Sequence, residues 1–118
     1  MWGAKCCATG LDIESLLVAS HIHPWSASDD QERLDPYNGL LLSAALDAAF
    51  DRGLITLSPE GSWDVVSNLT EAQLTQAGLD KLQQQKVRGL TDRHEVYLSR
   101  HRRLAQEQAA ARSPNMSS

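Results

Sequence analysis

The sequence predicts an α+β fold in which short hairpins are combined with helices, and three observations predict it. An apolar run at residues 16–22 contains side chains that favour a pleated surface and indicates a strand. Residues 44–52 lie between Ser43, a residue type preferred before helices, and Gly53, a type preferred just after them. Two further apolar runs flank the turn at 59–61 and indicate a second hairpin.

The first part of the chain is predicted to form a hairpin of two strands. Residues 5–9 and 16–22 are short strand-like runs, and the loop at 10–15 that joins them begins with glycine. Pro24 ends the second strand because it has no amide proton to donate to a ladder. Residues 26–35 are then polar and rich in turn-forming side chains, so we expect a long connection there.

Turn and capping residues place the remaining elements. Asp-Pro at 35–36 and Asn-Gly at 38–39 are strong turn signals. The elements expected after them are an apolar run at 40–42, a helix at 44–52, a hairpin of 54–57 and 63–66, a short helix at 70–77 closed by Gly78, and a helix from Thr91 to about residue 110. We expect one domain at residues 1–112 and a disordered tail at 113–118.

Composition limits the class of protein. With 118 residues the chain is close to the size of one domain. No stretch approaches the roughly 20 apolar residues of a membrane span, and Lys5 and Gly10 interrupt the N-terminus as a secretory signal. A cytoplasmic protein with no membrane partner is therefore expected. Cys6 and Cys7 are neighbours and thus a poor disulfide pair, and the lack of a Cys-x-x-Cys pair argues against a zinc ribbon.

The charges are unevenly distributed along the chain. Residues 1–85 hold 4 basic and 12 acidic side chains, a net charge of −8. Residues 86–112 hold 7 basic and 3 acidic side chains, a net charge of +4. A basic C-terminal segment fits an electrostatic contact with phosphates, and it fits a solvated helix face equally well.

Three side chains are candidates for hydrolytic chemistry. His21 ends the apolar strand, and an imidazole with a pKa of about 6.5 suits a general base. Asp47 and Asp51 are one helical turn apart, so their carboxylates point the same way and suit a hard divalent cation. A base and a cation are the minimum equipment for cutting a phosphodiester. The residues alone also fit a structural histidine and two solvated acids.

Four ordered stretches resemble a known family. They read CATG at 7–10, LLVASHIHPWS at 16–26, RLDPYNGLLL at 33–42 and LDAAFDRGLI at 46–55. Together they resemble the HNH nucleases, and more closely the subgroup found as the C-terminal cleavage domain of restriction-type endonucleases. The resemblance covers residues 7 to about 57, so the core motif is placed at about 5–57. Tyr97-Leu98 and His101-Arg102 are similar to the tail of that subgroup.

The resemblance implies a role for each matching residue. His21 takes the position of the general base, and Asn38 that of the asparagine that braces the loop after the hairpin. Asp47 lies nine residues after Asn38, where the family has a metal ligand, and Asp51 matches a further ligand present in some members. The implied fold is the ββα-metal motif, a hairpin packed on a helix around one metal ion.

Two departures from the family pattern affect the expected metal. Many members have an acid or a histidine just before the base, whereas this chain has Ser20, a weak neutral ligand. The final histidine of the motif is Asp47 here, which favours Mg²⁺ or Mn²⁺ over Zn²⁺. One divalent cation held mainly by Asp47 and Asp51 is therefore expected.

Other polar and aromatic side chains have less specific patterns. His23 is a candidate for a phosphate contact, for assisting the metal, or for a surface position, which we favour. Trp25 and Trp63 are expected to be core anchors rather than base-stacking platforms. Candidates for contacting DNA phosphates are Arg52, Arg100, Arg102 and Arg103.

The sequence thus predicts a metal-dependent endonuclease that hydrolyses DNA phosphodiester bonds. The main alternative is a truncated or inactive DNA-binding remnant of a larger restriction-type nuclease, because relatives usually carry an N-terminal recognition domain that this chain lacks. A toxin-type nuclease neutralised by an immunity partner is a further alternative. A homodimer is also compatible with the sequence.

Overall fold

Four α-helices and two antiparallel strand pairs lie within residues 2–116, so the predicted α+β class is confirmed. A computed structural model describes residues 2–116, with side chains for residues 2–111. The strands are β1 Leu17–His21, β2 Gly39–Ser43, β3 Ile55–Leu57 and β4 Trp63–Val65. The helices are α1 Asp30–Leu34, α2 Ala44–Asp51, α3 Glu71–Gln76 and α4 Asp92–Met116.

The first strand pair has a different partner from the one predicted. β1 pairs with β2, in a register that runs from Leu17 opposite Ser43 to His21 opposite Gly39. The predicted pairing of 16–22 with 5–9 is wrong. The backbone at 5–9 forms a tight loop instead, because the amide of Cys6 donates to Leu11 and the amide of Gly10 donates back to Cys6. These backbone groups are therefore used within the loop and are not available to a strand pairing with 16–22.

The two faces of this hairpin have different environments. Leu40 and Leu42 are 2 % and 0 % exposed and point into the core. Ser20 lies opposite Leu40 and shares that face, because directly paired residues point the same way. His21, the next residue along β1, therefore points to the opposite face.

Helix α2 covers the buried face of the hairpin. Its apolar side chains Leu46, Ala49 and Phe50 join Leu40 and Leu42 in one core cluster. The helix runs from Ala44 to Asp51, with Ser43 at the N-cap and Arg52 at the C-cap, which confirms the predicted capping positions. Strands β1 and β2 followed by α2 give the ββα order expected for the motif.

Helix α4 approaches the end of α2 closely. Gly53 has φ +71°, and a Cβ atom added there would lie 3.3 Å from Ala105 Cα and 2.3 Å from Gln108 Oε1. Glycine is required at this turn because it adopts positive φ without strain and leaves room for the neighbouring helix. The predicted second hairpin and short helix are confirmed as β3–β4 and α3.

The end of α4 extends further than the sequence indicated. The predicted helix end near residue 110 falls short, since the helical backbone continues to Met116. Residues 117–118 of the predicted disordered tail lie outside the described part of the chain. Within residues 2–116, no helix combines the length and apolar character that crossing a bilayer requires.

Candidate functional site

The ring of His21 is held by the connection between β1 and β2. Its Nε2 lies 3.1 Å from the carbonyl oxygen of Arg33. A carbonyl oxygen can only accept, so the neutral ring that makes this bond carries its hydrogen on Nε2. Nδ1 is then the nitrogen with the free lone pair. Trp25 contacts the same ring in an edge arrangement, with centroids 5.3 Å apart.

Asn38 joins the end of β1 to the end of α1. The side chain is fully buried, and its Oδ1 accepts from the His23 amide at 2.8 Å. Its Nδ2 donates to the Glu32 carbonyl at 3.1 Å. Its main-chain carbonyl accepts from the Ile22 amide at 3.1 Å. These bonds hold the segment that contains Arg33, whose carbonyl accepts the hydrogen bond from His21.

Asp47 and Asp51 lie on α2, four residues apart. Leu46, Ala49 and Phe50 take the buried side of the helix. Asp47 is partly buried and Asp51 is exposed. Residues at this spacing share a side of a helix, so α2 presents the two carboxylates together.

Asp51 and the buried His101 lie at the same cleft. The small cleft is lined by Pro24, Asp51, Gly53, His101, Leu104, Ala105 and Gln108. The end of α2 therefore lies next to α4 and to Pro24, which is in the connection after β1.

Ser20 is the remaining predicted ligand, and it is 4 % exposed. Its Oγ has no hydrogen-bond partner among the described residues. The hydroxyl belongs to the hairpin face that α2 covers, as established by its pairing with Leu40. A buried hydroxyl without a partner is unusual in a folded protein, and bound water or an ion is one explanation for it.

The predicted site residues lie on different surfaces. Ser20 is on the hairpin face that α2 covers, and the ring of His21 turns to the other face. Asp47 and Asp51 lie on α2, outside its buried side of Leu46, Ala49 and Phe50. Within residues 2–111, no hydrogen bond or ion pair joins the His21 ring to either aspartate.

The donor chemistry of Ser20, Asp47 and Asp51 suits a hard cation. Two carboxylates and one hydroxyl supply only oxygen, which Mg²⁺ and Mn²⁺ prefer. No group of three His, Cys, Asp or Glu side chains in the described part of the chain is arranged to hold a metal ion. Water ligands would have to complete such a site, as is usual for Mg²⁺.

Two of the predicted DNA-contacting arginines are engaged within the protein. Arg100 is paired with Glu32 of α1. Arg102 is paired with Glu95 and also donates to the carbonyl of Leu57 at 2.8 Å. Arg52 and Arg103 are exposed. Arg52 and Arg103 therefore remain the better candidates for a phosphate contact.

His23 is partly buried rather than at the open surface that we favoured. Its Nδ1 is buried and has no hydrogen-bond partner within residues 2–111. Its amide is held by Asn38. The side chain therefore lies next to the bracing asparagine, and its role in phosphate contact stays a prediction.

The acids between the hairpin strands are compensated by α4. The pKa of Glu32 is lowered by the amide of Asp29 and then by Arg100. The pKa of Asp35 is lowered by the hydroxyl of Tyr97, which donates to Asp35 Oδ2 at 2.7 Å. Burial and this carboxylate together raise the pKa of Tyr97 to about 12. Glu32 and Asp35 are therefore carboxylates at neutral pH, and they tie the connection between β1 and β2 to α4.

Sequence reasoning missed the surroundings of His21. Trp63 is 1 % exposed, which confirms it as a core anchor, but Trp25 is 56 % exposed. The expectation that both tryptophans are buried is therefore wrong for Trp25. The signal in the sequence was the position of Trp25 at the start of a polar segment. Nothing in the sequence marked the main-chain carbonyl of Arg33 as the partner of His21.

Comparison with known proteins identifies this segment. Residues 6–58 match a family model described as HNH endonuclease. Over this range, which is less than half of the chain, the sequence is similar to the HNH endonucleases. The matched range contains the β1–β2 hairpin, Asn38 and α2. No curated protein matches the chain.

Proposed function

We propose that this chain is a metal-dependent endonuclease of the HNH type that hydrolyses DNA phosphodiester bonds. The observation that carries the proposal is the 3.1 Å hydrogen bond from His21 to the Arg33 carbonyl. It gives the ring a fixed orientation and leaves Nδ1 able to accept a proton, as a general base requires. The family match supports the choice of DNA as substrate.

In this proposal His21 takes the proton of the attacking water on Nδ1. Nε2 keeps its hydrogen bond to Arg33 throughout, so the ring does not turn as Nδ1 gains the proton. Asn38 acts as a positioning residue, because its buried amide holds the segment that carries this carbonyl. The base is thus aligned before DNA binds, which lowers the entropic cost of reaching the reactive geometry.

Asp47 and Asp51 would hold one divalent cation, with Ser20 as a weak additional ligand. The shared side of α2 and the unpartnered Ser20 hydroxyl support this assignment. When bound, the cation supplies positive charge for the phosphate and for the leaving 3′ oxygen. All three donors are oxygens, so we favour Mg²⁺ or Mn²⁺ over Zn²⁺.

The test is cleavage of supercoiled plasmid by the full chain with Mg²⁺, Mn²⁺ or EDTA. Replacing His21 by Ala removes the base and should lower the rate by about 10²–10⁴-fold. Asp47→Asn should lower it as well, while Asp12→Asn removes an exposed acid outside the site and should leave it unchanged. Circular dichroism and melting curves establish that each variant is folded. Full metal-dependent cleavage by His21→Ala would contradict the proposal.

A second candidate function is DNA binding without cleavage. The absence of a three-residue metal cluster within the described residues favours it. A chain of this kind would retard DNA in a binding assay and leave plasmid intact at every metal concentration. Cleavage that requires both His21 and a cation would exclude this alternative.

A further inference from the structure

An exposed tryptophan lies beside the proposed base. Trp25 is 56 % exposed, and its ring centroid lies 5.3 Å from that of His21 at an interplanar angle of 76°. Burying an indole is favourable, so an open one next to a polar site is an informative exception. Leu34, which ends α1, is 83 % exposed and adds apolar surface in the same connection.

Arg33 links the indole to the base. Its Nε donates to the Trp25 carbonyl at 2.9 Å, and its guanidinium carbon lies 4.4 Å from the indole centroid. Its own carbonyl accepts from His21. One residue therefore fixes the backbone at Trp25, stacks on the indole and orients the imidazole. The indole is thus held rigidly, which limits the entropy lost when a ligand stacks on it.

The acids near this indole have local partners. Glu32 pairs with Arg100, and Asp35 accepts from Tyr97 and lies 3.8 Å from Arg93. Asp29 caps α1 by accepting from the Glu32 amide at 2.8 Å. These contacts reduce the repulsion that the connection would otherwise exert on a phosphate chain.

We propose that Trp25 stacks on an unpaired base of single-stranded DNA, next to the phosphate attacked by the water that His21 deprotonates. A base within an intact duplex has both faces covered, whereas an unpaired base has a face available to an aromatic side chain. The preferred substrate class is therefore single-stranded or locally opened DNA. The inference rests on the proposed function in taking DNA as the ligand and His21 as the general base.

The test measures binding and needs no cleavage. A fluorescein-labelled single-stranded oligonucleotide and the matching duplex are titrated with the full chain in EDTA. Trp25→Ala should weaken binding to the single strand by about tenfold, the effect of losing one base-stacking contact. Trp25→Phe keeps an aromatic face and should stay within about threefold of the wild type. Binding of the duplex should change less than binding of the single strand.

Tryptophan emission gives a second readout. The single strand should quench emission of the wild type, and Trp25→Phe should bind with that quenching lost. Trp2→Phe is the control, because Trp2 lies elsewhere, with its Nε1 donating to the Gly39 carbonyl at 3.1 Å. That variant should keep the quenching.

Two results would overturn the inference: unchanged single-strand binding by Trp25→Ala, or equal losses on single strand and duplex. These outcomes are independent of the proposed function. A chain that binds through Trp25 without cutting refutes the nuclease proposal alone. A chain that cuts with unchanged affinity in Trp25→Ala refutes the stacking role alone.

Discussion

His101 Nε2 lies 2.7 Å from the carbonyl oxygen of Phe50, and the two rings stack with centroids 3.7 Å apart. The other ring nitrogen, Nδ1, lies 2.8 Å from Thr56 Oγ1. The Phe50 carbonyl only accepts, so Nε2 carries the hydrogen and Nδ1 accepts from the threonine hydroxyl. This neutral ring fastens α4 to both α2 and β3.

The free energy of unfolding should therefore fall when the pH is lowered to mildly acidic values. Burial lowers the pKa of His101, and the hydrogen bond to the Phe50 carbonyl and the nearby Asp51 offset this only in part. His94 has its pKa lowered by burial in the same way. The unfolded chain then binds protons first as pH falls below about 6.5, so the free energy of unfolding falls until the folded pKa is passed. Urea unfolding at pH 7.5 and 5.5 measures this loss.

The contribution of His101 can be separated by substitution. His101→Gln removes one titrating group and should reduce the acid-dependent loss, by at most about 1.4 kcal/mol per pH unit. It should also lower stability at pH 7.5, because it breaks a buried hydrogen-bonded stack. Arg103→Gln changes an exposed residue of the same helix and is the control. An acid-dependent loss that is the same in His101→Gln and the wild type would contradict the assignment.

Replacing Gly53 by Ala should destabilise the protein more than replacing Gly10 by Ala. Both positions have positive φ, at +71° and +77°, which costs a Cβ-bearing residue about 1–2 kcal/mol. Only at Gly53 would the new Cβ also press on α4, 3.3 Å from Ala105 Cα. The difference between the two losses in unfolding free energy measures the cost of the contact with α4. Equal losses would show that α4 moves away from the new Cβ at little cost.

The same turn illustrates how much of the fold the sequence predicts. Ser43 and Gly53 mark α2 because capping is a local property of one or two residues. The partner of β1 was not predictable in this way, since residues 5–9 and 39–43 both have strand-like composition. Tertiary packing decided between them, through the burial of Leu40 and Leu42.

The candidate site was predictable to a similar extent. Helical spacing alone predicts that the carboxylates of Asp47 and Asp51 lie on the same side of α2. The orientation of His21 does not, because it depends on a main-chain carbonyl that every residue possesses. Pairing of Arg100 and Arg102 with acids was equally hidden, since their partners lie on other turns and elements.

Asn38→Ala should lower both stability and cleavage. It leaves the His23 amide and the Glu32 carbonyl without their side-chain partners, at a cost of about 2–3 kcal/mol. Asn38→Asp is the informative comparison, because it keeps an acceptor for the His23 amide but replaces the donor to the Glu32 carbonyl by a buried carboxylate oxygen that this carbonyl repels. Melting temperature and plasmid cleavage should both rank the wild type first. A cleavage rate that is unaffected in a destabilised Asn38→Ala would show that the brace does not position the base.

Divalent cation should stabilise the folded chain through Asp47 and Asp51. A ligand at ten times its dissociation constant adds about 1.4 kcal/mol to the free energy of unfolding. Titrating Mn²⁺ while recording the melting temperature should reveal this shift, and EDTA should reverse it. Asp47→Asn should abolish the shift, and Asp12→Asn should retain it. The same shift in all three proteins would place the cation elsewhere.

Ser20→Ala should make the metal-free protein more stable. The Ser20 hydroxyl is buried without a partner, so its removal relieves a desolvation cost of about 1–2 kcal/mol. Ser28 is also buried, but its Oγ donates to the Pro24 carbonyl at 2.9 Å, so Ser28→Ala should be destabilising. If Ser20 is a weak ligand, Ser20→Ala should also bind Mn²⁺ less tightly. Adding Mn²⁺ should then stabilise the wild type more than the variant and reverse the order of their unfolding free energies. Unfolding curves recorded with and without Mn²⁺ measure both effects. If Ser20→Ala is less stable than the wild type in EDTA, the hydroxyl has a partner in solution and the prediction is wrong.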